Sequence, residues 1–253
     1  MTPTDRLLQR AAALAVAVLF SGCGAAAPEV EEISHGEATP LSSLLITRWA
    51  SGFGPGGYEP GDGADQFTDE AHALGEASGS NAGVVVLGRG GRITLDMGSS
   101  FSDSTGADFA VWENGISDPD GTLFAELAYV EVSSDGVSFA RFPVADRESE
   151  PVGGYDTTFG SVDPTRYSGF AGLHPVGVGT AFDLSNLRDD SAVAAGEVDL
   201  TKIRYVRIVD VIGDGRDGDS SDRAIYDPYP TVNPDADGSN TAGFDLDGVA
   251  VLR

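Results

Sequence analysis

Apolar and polar residues alternate along this chain in short runs, each bounded by glycine, asparagine or aspartate. In "RITLDM", Ile93, Leu95 and Met97 alternate with Arg92, Thr94 and Asp96, which predicts a strand with one apolar and one wet face. In "AYVEVSSDGVSFARF", Val130 and Val132 stand before Asp135-Gly136, and Val137 and Phe139 stand after it. Asp-Gly suits the positive φ of a tight turn, so this stretch predicts a β-hairpin. Further strands are predicted at 44–49, 83–88, 107–113, 202–212 and 243–252. Half-buried strands belong to antiparallel sheets. About eight of them with almost no helix predict an all-β fold, an antiparallel β-sandwich of jelly-roll type with long rim loops. The stretch 144–201 breaks the rhythm, carrying only a helix-like piece around "FDLSNLRDDSAVAAG". Irregular stretches of that length in a domain are usually functional or disordered.

The first 22 residues have a different pattern. Arg6 and Arg10 lead into an apolar run from Ala11 to Phe20, too short to span a bilayer and of signal-peptide type. The run ends at "LFSGC", which resembles the lipobox of bacterial lipoproteins, with Phe20 where that family usually has a smaller aliphatic residue. The resemblance implies lipidation of Cys23, an exported protein held at a membrane, and, with Gly24 next, an outer-membrane or cell-surface destination. Residues 23–43 are small, polar and proline-bearing and predict a flexible tether. A single domain is expected over 44–253, since no internal linker divides it.

Composition narrows the classes. Lysines and arginines number 15 against 40 aspartates and glutamates, a net charge of −25, so no basic stripe exists for nucleic acid. Cys23 is the only cysteine, which excludes an internal disulfide framework. The 34 glycines and 13 prolines favour turns over long helices. Acidity of this degree has two explanations: carboxylates keep an exported domain hydrated, or some of them gather around divalent cations.

Several motifs together resemble a known group. "VVVLGRGGRITLDMGSSF", "GADFAVWENG", "FAELAYVEVSSDGVSFARFP", "AGLHPVGVGTAFDL", "IRYVRIVDVIG", "AIYDPYPT" and "GFDLDGVAVL" resemble a family of bacterial cell-surface proteins and lipoproteins. Its sandwich is similar to discoidin or galactose-binding-like domains. The resemblance covers most of 44–253 and implies a fold; family members are mostly labelled only as surface proteins. The "VSSDGVSF" hairpin is similar to one in discoidin-type domains, which bind glycans or lipid headgroups through rim loops. Fold alone does not fix function.

Three acidic clusters are candidate calcium loops. In "NPDADGSNTAGFDLD", Asn233, Asp235, Asp237 and Gly238 match the first half of an EF-hand loop, but Phe244 stands where its bidentate glutamate belongs; Asp245 or Asp247 would complete the shell. "DVIGDGRDGDSSD" offers Asp210, Asp214, Asp217, Asp219 and Asp222, and "ENGISDPDG" offers Glu113, Asn114, Asp118 and Asp120. The same residue types are standard turn formers. For an organic ligand such as a glycan, the irregular region offers Tyr155, Phe159, Tyr167, Phe170 and His174, and "AIYDPYPT" adds Tyr226 and Tyr229. The competing reading is that these rings plug the ends of the sandwich. Trp112 reads as core, and Trp49 as either core or rim.

No catalytic constellation stands out. Nucleophile-elbow, His-Glu-x-x-His and phosphate-cradling patterns are absent, and His35, His72 and His174 are too few for a histidine-rich metal site. Among 40 acidic residues some carboxylate pair is always available, so glycosidase chemistry has no discriminating signal. The expectation is therefore a non-enzymatic, lipid-anchored surface or periplasmic binding or adhesion module, stabilised by calcium and taking a glycan or small molecule. The alternatives are capture of a scarce nutrient such as a corrinoid for an outer-membrane transporter, and a secreted hydrolase.

Overall fold

The alternation at 92–97 becomes the centre of β5 (Arg92–Phe101), which buries Ile93, Leu95 and Met97 completely and leaves Arg92 in solvent. The computed structural model describes residues 34–124, 126–148, 150, 152, 161–227 and 241–253, all within one compact unit, Glu31–Arg253. β5 lies in an antiparallel sheet ordered β10 (Ala140–Arg141), β9 (Ala128–Ser133), β14 (Ile203–Asp210), β5 and β3 (Gly52–Glu59). The second antiparallel sheet runs β1 (Ala38–Pro40), β13 (Val178–Phe182), β6 (Phe109–Glu113), β17 (Asp245–Val251) and β2 (Arg48–Trp49), with β4 (Val85–Val86) also on β17. Ile93, Leu95, Met97, Val130, Val206 and Ile208 of the first sheet share one core with Phe109, Val111, Val249 and Val251 of the second. The fold is an all-β sandwich, as the strand pattern predicts.

The second sheet departs from the half-buried expectation. β6 is buried at all five positions, because its outer face packs Ala110 and Trp112 against Leu45, Ala77, Ala250 and Leu252. Trp49 tilts onto Trp112 with 4.8 Å between ring centroids, so both tryptophans serve the core. Residues 34–43, expected in the tether, belong to the fold: Ala38 pairs with Thr180, and Thr39 has no exposed surface. The remainder of the tether, the signal segment and Cys23 lie outside the described residues.

The hairpin forms, but with a wider turn. Val132 faces Ala140 and Glu131 faces Arg141, so Ser134–Phe139 bridge the strands. Asp135 Oδ1 accepts hydrogen bonds from the amides of Val137 and Ser138, and Ser133 Oγ accepts from that of Gly136, whose φ is +79°. These side-chain bonds replace two ladder rungs and turn Val137 out to solvent at 82 % exposure. The irregular region hides a strand, β13, which lies between β1 and β6. After it, the carboxylates of Asp183 and Asp190 cap a 3-10 turn (Leu184–Leu187) and one helical turn (Ser191–Ala194), the whole of the predicted helix-like piece. Three ribbons complete the framework: β7 (Ile116–Ser117) with β8 (Leu123–Phe124), β11 (Ala145–Asp146) with β12 (Tyr167–Ser168), and β15 (Asp214–Gly218) with β16 (Ala224–Tyr226).

Candidate metal centre

Four buried carboxylates and the half-buried Asp245 gather where β6, β14 and β17 end or begin. Glu113 is the last residue of β6, Asp210 the last of β14 and Asp245 the first of β17; Glu126 stands two residues before β9, and Asp227 follows β16. Glu113, Glu126, Asp210 and Asp227 are each at most 4 % exposed. Asp210 and Asp227 fasten main chain from distant segments. Asp210 accepts from the amides of Phe244 at 2.8 Å and Gly90 at 2.7 Å, and Asp227 accepts from that of Leu127 at 2.7 Å. Gly213 permits the second clasp: its φ is +64°, and a Cβ there would lie 1.9 Å from Asp227 Cβ.

The other three have less to satisfy them. Glu113 Oε2 accepts from the amide of Gly115 at 2.6 Å, and Asp245 Oδ2 accepts from Asn114 Nδ2 at 2.9 Å. Asp245 Oδ1 is buried without a donor, and the Glu113 carboxylate also accepts from the amide of Glu126. Burial, reinforced by Asp245 and Asp227, pushes the Glu113 and Glu126 carboxyls well above the usual range. Burial likewise pushes Asp245 up to about 7 against the Asn114 bond, and Asp210 to about 7 against its two backbone bonds. Among the described residues no lysine, arginine or histidine forms an ion pair with Glu113, Glu126 or Asp245. Residues 125, 149, 151, 153–160 and 228–240 contain no basic residue at all. Such a group holds either a hard cation or protons.

The acidic residues singled out in the sequence divide. Asp245 joins this cluster, as do Glu113, Asn114 and Asp210. Asp247, expected as a metal ligand, is instead a loop clamp with no exposed surface, its two oxygens accepting from the amides of Ser78 at 2.7 Å and Gly79 at 2.8 Å. Asp247→Ala is expected to cost about 2 kcal/mol in urea unfolding through those two orphaned amides, with any calcium-induced shift in midpoint unchanged. Asp219 is likewise engaged: burial raises its pKa, but bonds from Arg223 and three backbone amides outweigh burial and hold it at about 2. Asp214 lies near Arg216 at 3.3 Å and Arg89 at 3.9 Å, and Asp217 stands exposed on β15. Asn233, Asp235 and Asp237 lie outside the described residues, as do Tyr155, Phe159 and Tyr229.

The sequence did not single out Asp103, Asp108 and Asp183, whose carboxylate oxygens lie within 4.8 Å of one another. Donors meet several of these oxygens, with Arg188 on Asp103 Oδ2, Ser104 and the Leu184 amide on Asp108, and the Ser185 amide on Asp183, but Asp103 Oδ1 is buried without a donor. Burial still pushes Asp108 up to about 6. No protein-family model matches this chain, and no curated protein matches it.

Of the aromatic candidates, Tyr167 and Phe170 are buried, and Tyr226 and His174 are half-buried. Tyr167 is 4 % exposed and Phe170 fully buried, in a cluster with Leu127, Tyr129 and Ile225, so neither ring is free to stack on a sugar. The Tyr167 hydroxyl donates to the carbonyl of Tyr226, which is half-buried. His174 Nε2 donates to the Gly36 carbonyl at 3.0 Å, and burial lowers its pKa. With His35 and Tyr167 it lines a cleft of about 380 Å³. A second cleft, about 430 Å³, lies beside the edge strand β10, lined by Tyr129, Arg141, Asn186, Asp189 and Asp190.

Proposed function

We propose that this chain is an exported binding module, lipid-anchored through Cys23 at the bacterial outer membrane or cell surface, whose β-sandwich is completed by a bound divalent cation, calcium. The carrying observation is that Glu113, Glu126 and Asp245 gather with no ion pair to a base among the described residues. Burying that much like charge costs several kcal/mol per group unless something compensates. The N-terminal pattern ending at Cys23 supports the anchor, and no helix among the described residues is long and apolar enough to cross a membrane. The cleft beside β10 supports the binding role, since it sets Tyr129 under the Arg141 guanidinium, 4.3 Å from the ring centroid, with the exposed Asp189 in the same lining.

Thermal unfolding of the Glu31–Arg253 unit after exhaustive chelation, then with added calcium, tests the reading. A ligand at about 100 times its dissociation constant that binds only the folded state adds about 2.7 kcal/mol, a rise of about 5–10 °C for a domain of this size. A midpoint indifferent to calcium overturns it.

A further inference from the structure

The two clefts differ in what their polar groups are already doing. In the cleft of His35 and His174 these groups are spent: His174 donates to the Gly36 carbonyl, His35 Nδ1 accepts from the amide of Asp183 at 3.3 Å, and the Tyr167 hydroxyl donates to the carbonyl of Tyr226. In the cleft beside β10 they are not. Tyr129 lines it with only 8 % of its surface exposed, and its hydroxyl has no hydrogen-bond partner among the described residues. A buried polar side chain that opens on a cleft is completed by what enters the cleft. The Asp189 carboxylate, exposed in the same lining, likewise has neither hydrogen bond nor ion pair among the described residues.

Three segments fix the walls. Val144 and Ser220 exchange two bonds, from the Val144 amide to Ser220 Oγ at 2.9 Å and from the Ser220 amide to the Val144 carbonyl at 3.0 Å. The caps of Asp183 and Asp190 hold the turns that carry Leu187, Asp189 and Ser191. Glu131 accepts from Arg141 at 2.7 and 2.8 Å and so keeps the guanidinium over the Tyr129 ring. The cleft is therefore built before any ligand arrives.

Charge selects the ligand. Glu131 takes Arg207 at 3.1 Å as well as Arg141, which leaves one excess positive charge on that wall. Asp189, Asp190 and Asp217 bring three negative charges with no ion-paired base among the described residues. Burial, reinforced by Asp217, pushes the Tyr129 hydroxyl up to about 12, so it stands as a neutral O–H. The net charge of −25 adds a field that draws cations in and turns anions away. A sugar stacks on an open ring face, and that of Tyr129 lies under Arg141. Resting on the reading above that this cleft is where the module binds, we propose that it takes a primary alkylammonium group, free or on a lysine side chain. Asp189 and the Tyr129 hydroxyl oxygen accept from the ammonium, which has three donors and no acceptor, and Pro143, Val144 and Leu187 cover its methylenes.

Calorimetric titration of the Glu31–Arg253 unit with pentylamine, lysine blocked at its backbone amine and carboxyl groups, pentanoate and sorbitol decides the matter, beside Asp189→Asn and Tyr129→Phe. Both substitutions spare the fold, since Asp189 fastens nothing and Tyr129→Phe keeps the ring under Arg141. Pentylamine is expected to bind, pentanoate and sorbitol are not, and each variant is expected to bind the amine about 10-fold or more weakly. Weakening in Tyr129→Phe, which changes no charge, separates this cleft from general attraction of a cation to an acidic protein. Binding of pentylamine alone assigns the site to free amines, and binding of the blocked lysine too extends it to polypeptide side chains; both support the proposal. Pentanoate or sorbitol binding in place of the amine, weakened by Tyr129→Phe, overturns the choice of ligand and leaves the cleft as the binding site. Amine affinity equal in the intact unit and both variants overturns the site. No binding of any of the four overturns the proposal together with the cleft's part in the reading it rests on.

Discussion

At pH 5 the ion-free domain is expected to unfold at a higher temperature than at pH 8. Burial pushes the Asp210 carboxyl from 3.8 up to about 7 and that of Asp108 up to about 6, and it raises Glu113, Glu126 and Asp245 in the same direction. A carboxyl whose pKa is higher in the folded state binds more protons folded than unfolded between the two values. Stability therefore falls as pH rises through that window, here from about 4 to about 7. For Asp210 alone the loss is on the order of 4 kcal/mol. Below pH 4 the slope changes sign, because Asp219, held at about 2 by Arg223 and its amide partners, loses its stabilising charge there. Calcium is expected to reverse the neutral-pH trend, raising the midpoint most at pH 8 and little at pH 5, where protons compete for the same oxygens. Melting curves at pH 5, 6.5 and 8, with and without calcium, measure both. Ion-free midpoints that do not fall from pH 5 to pH 8 would mean that these carboxylates are ionised in the folded state without a cation.

Phe109→Ala should destabilise the domain by about 3–5 kcal/mol in urea unfolding. The ring is fully buried between the sheets, stacked on Phe182 at 5.3 Å and flanked by Phe101 and Phe142, each at 5.8 Å. Both strands beside β6 contribute to its surroundings, Phe182 opposite in β13 and Val251 opposite in β17, so the cavity cannot close by moving one side chain. Val137→Ala, on the exposed turn, is the matched control and should change stability by less than about 0.5 kcal/mol. Equal effects from the two would contradict the placement of β6 at the centre of the core.

The strand pattern was legible wherever alternation was clean. Ile93, Leu95 and Met97 point inward as read, although Thr94, expected on the wet face, is buried as well. β13 escaped because "VGTAF" alternates glycine and small residues with few large apolar ones. Gly179 is needed there to clear Trp112, whose ring atoms would lie 2.7 Å from a Cβ. At the candidate metal centre the reading was divided. Composition announced that some carboxylates gather, and Asp210, Glu113 and Asp245 were among those singled out, but Glu126 was not. It follows "FA" and precedes "LAYVEV", with no Asp-x-Asp-Gly spacing to mark it, and its company comes entirely from chain more than ten residues away. Asp219 and Asp247 misled for the opposite reason: local sequence cannot distinguish a carboxylate that fastens backbone amides from one that faces an ion.

β17 comes last among the strands yet lies inside its sheet, between β6 and β2. Nothing earlier in the chain can fill that slot, so the second sheet cannot close, nor Phe109 and Trp112 be covered, until residues 245–251 have been made. A growing chain thus remains without its finished core until residues 245–251 have left the ribosome. For a protein proposed to leave the cell interior, this strand order delays folding in the cytoplasm and keeps the chain threadable.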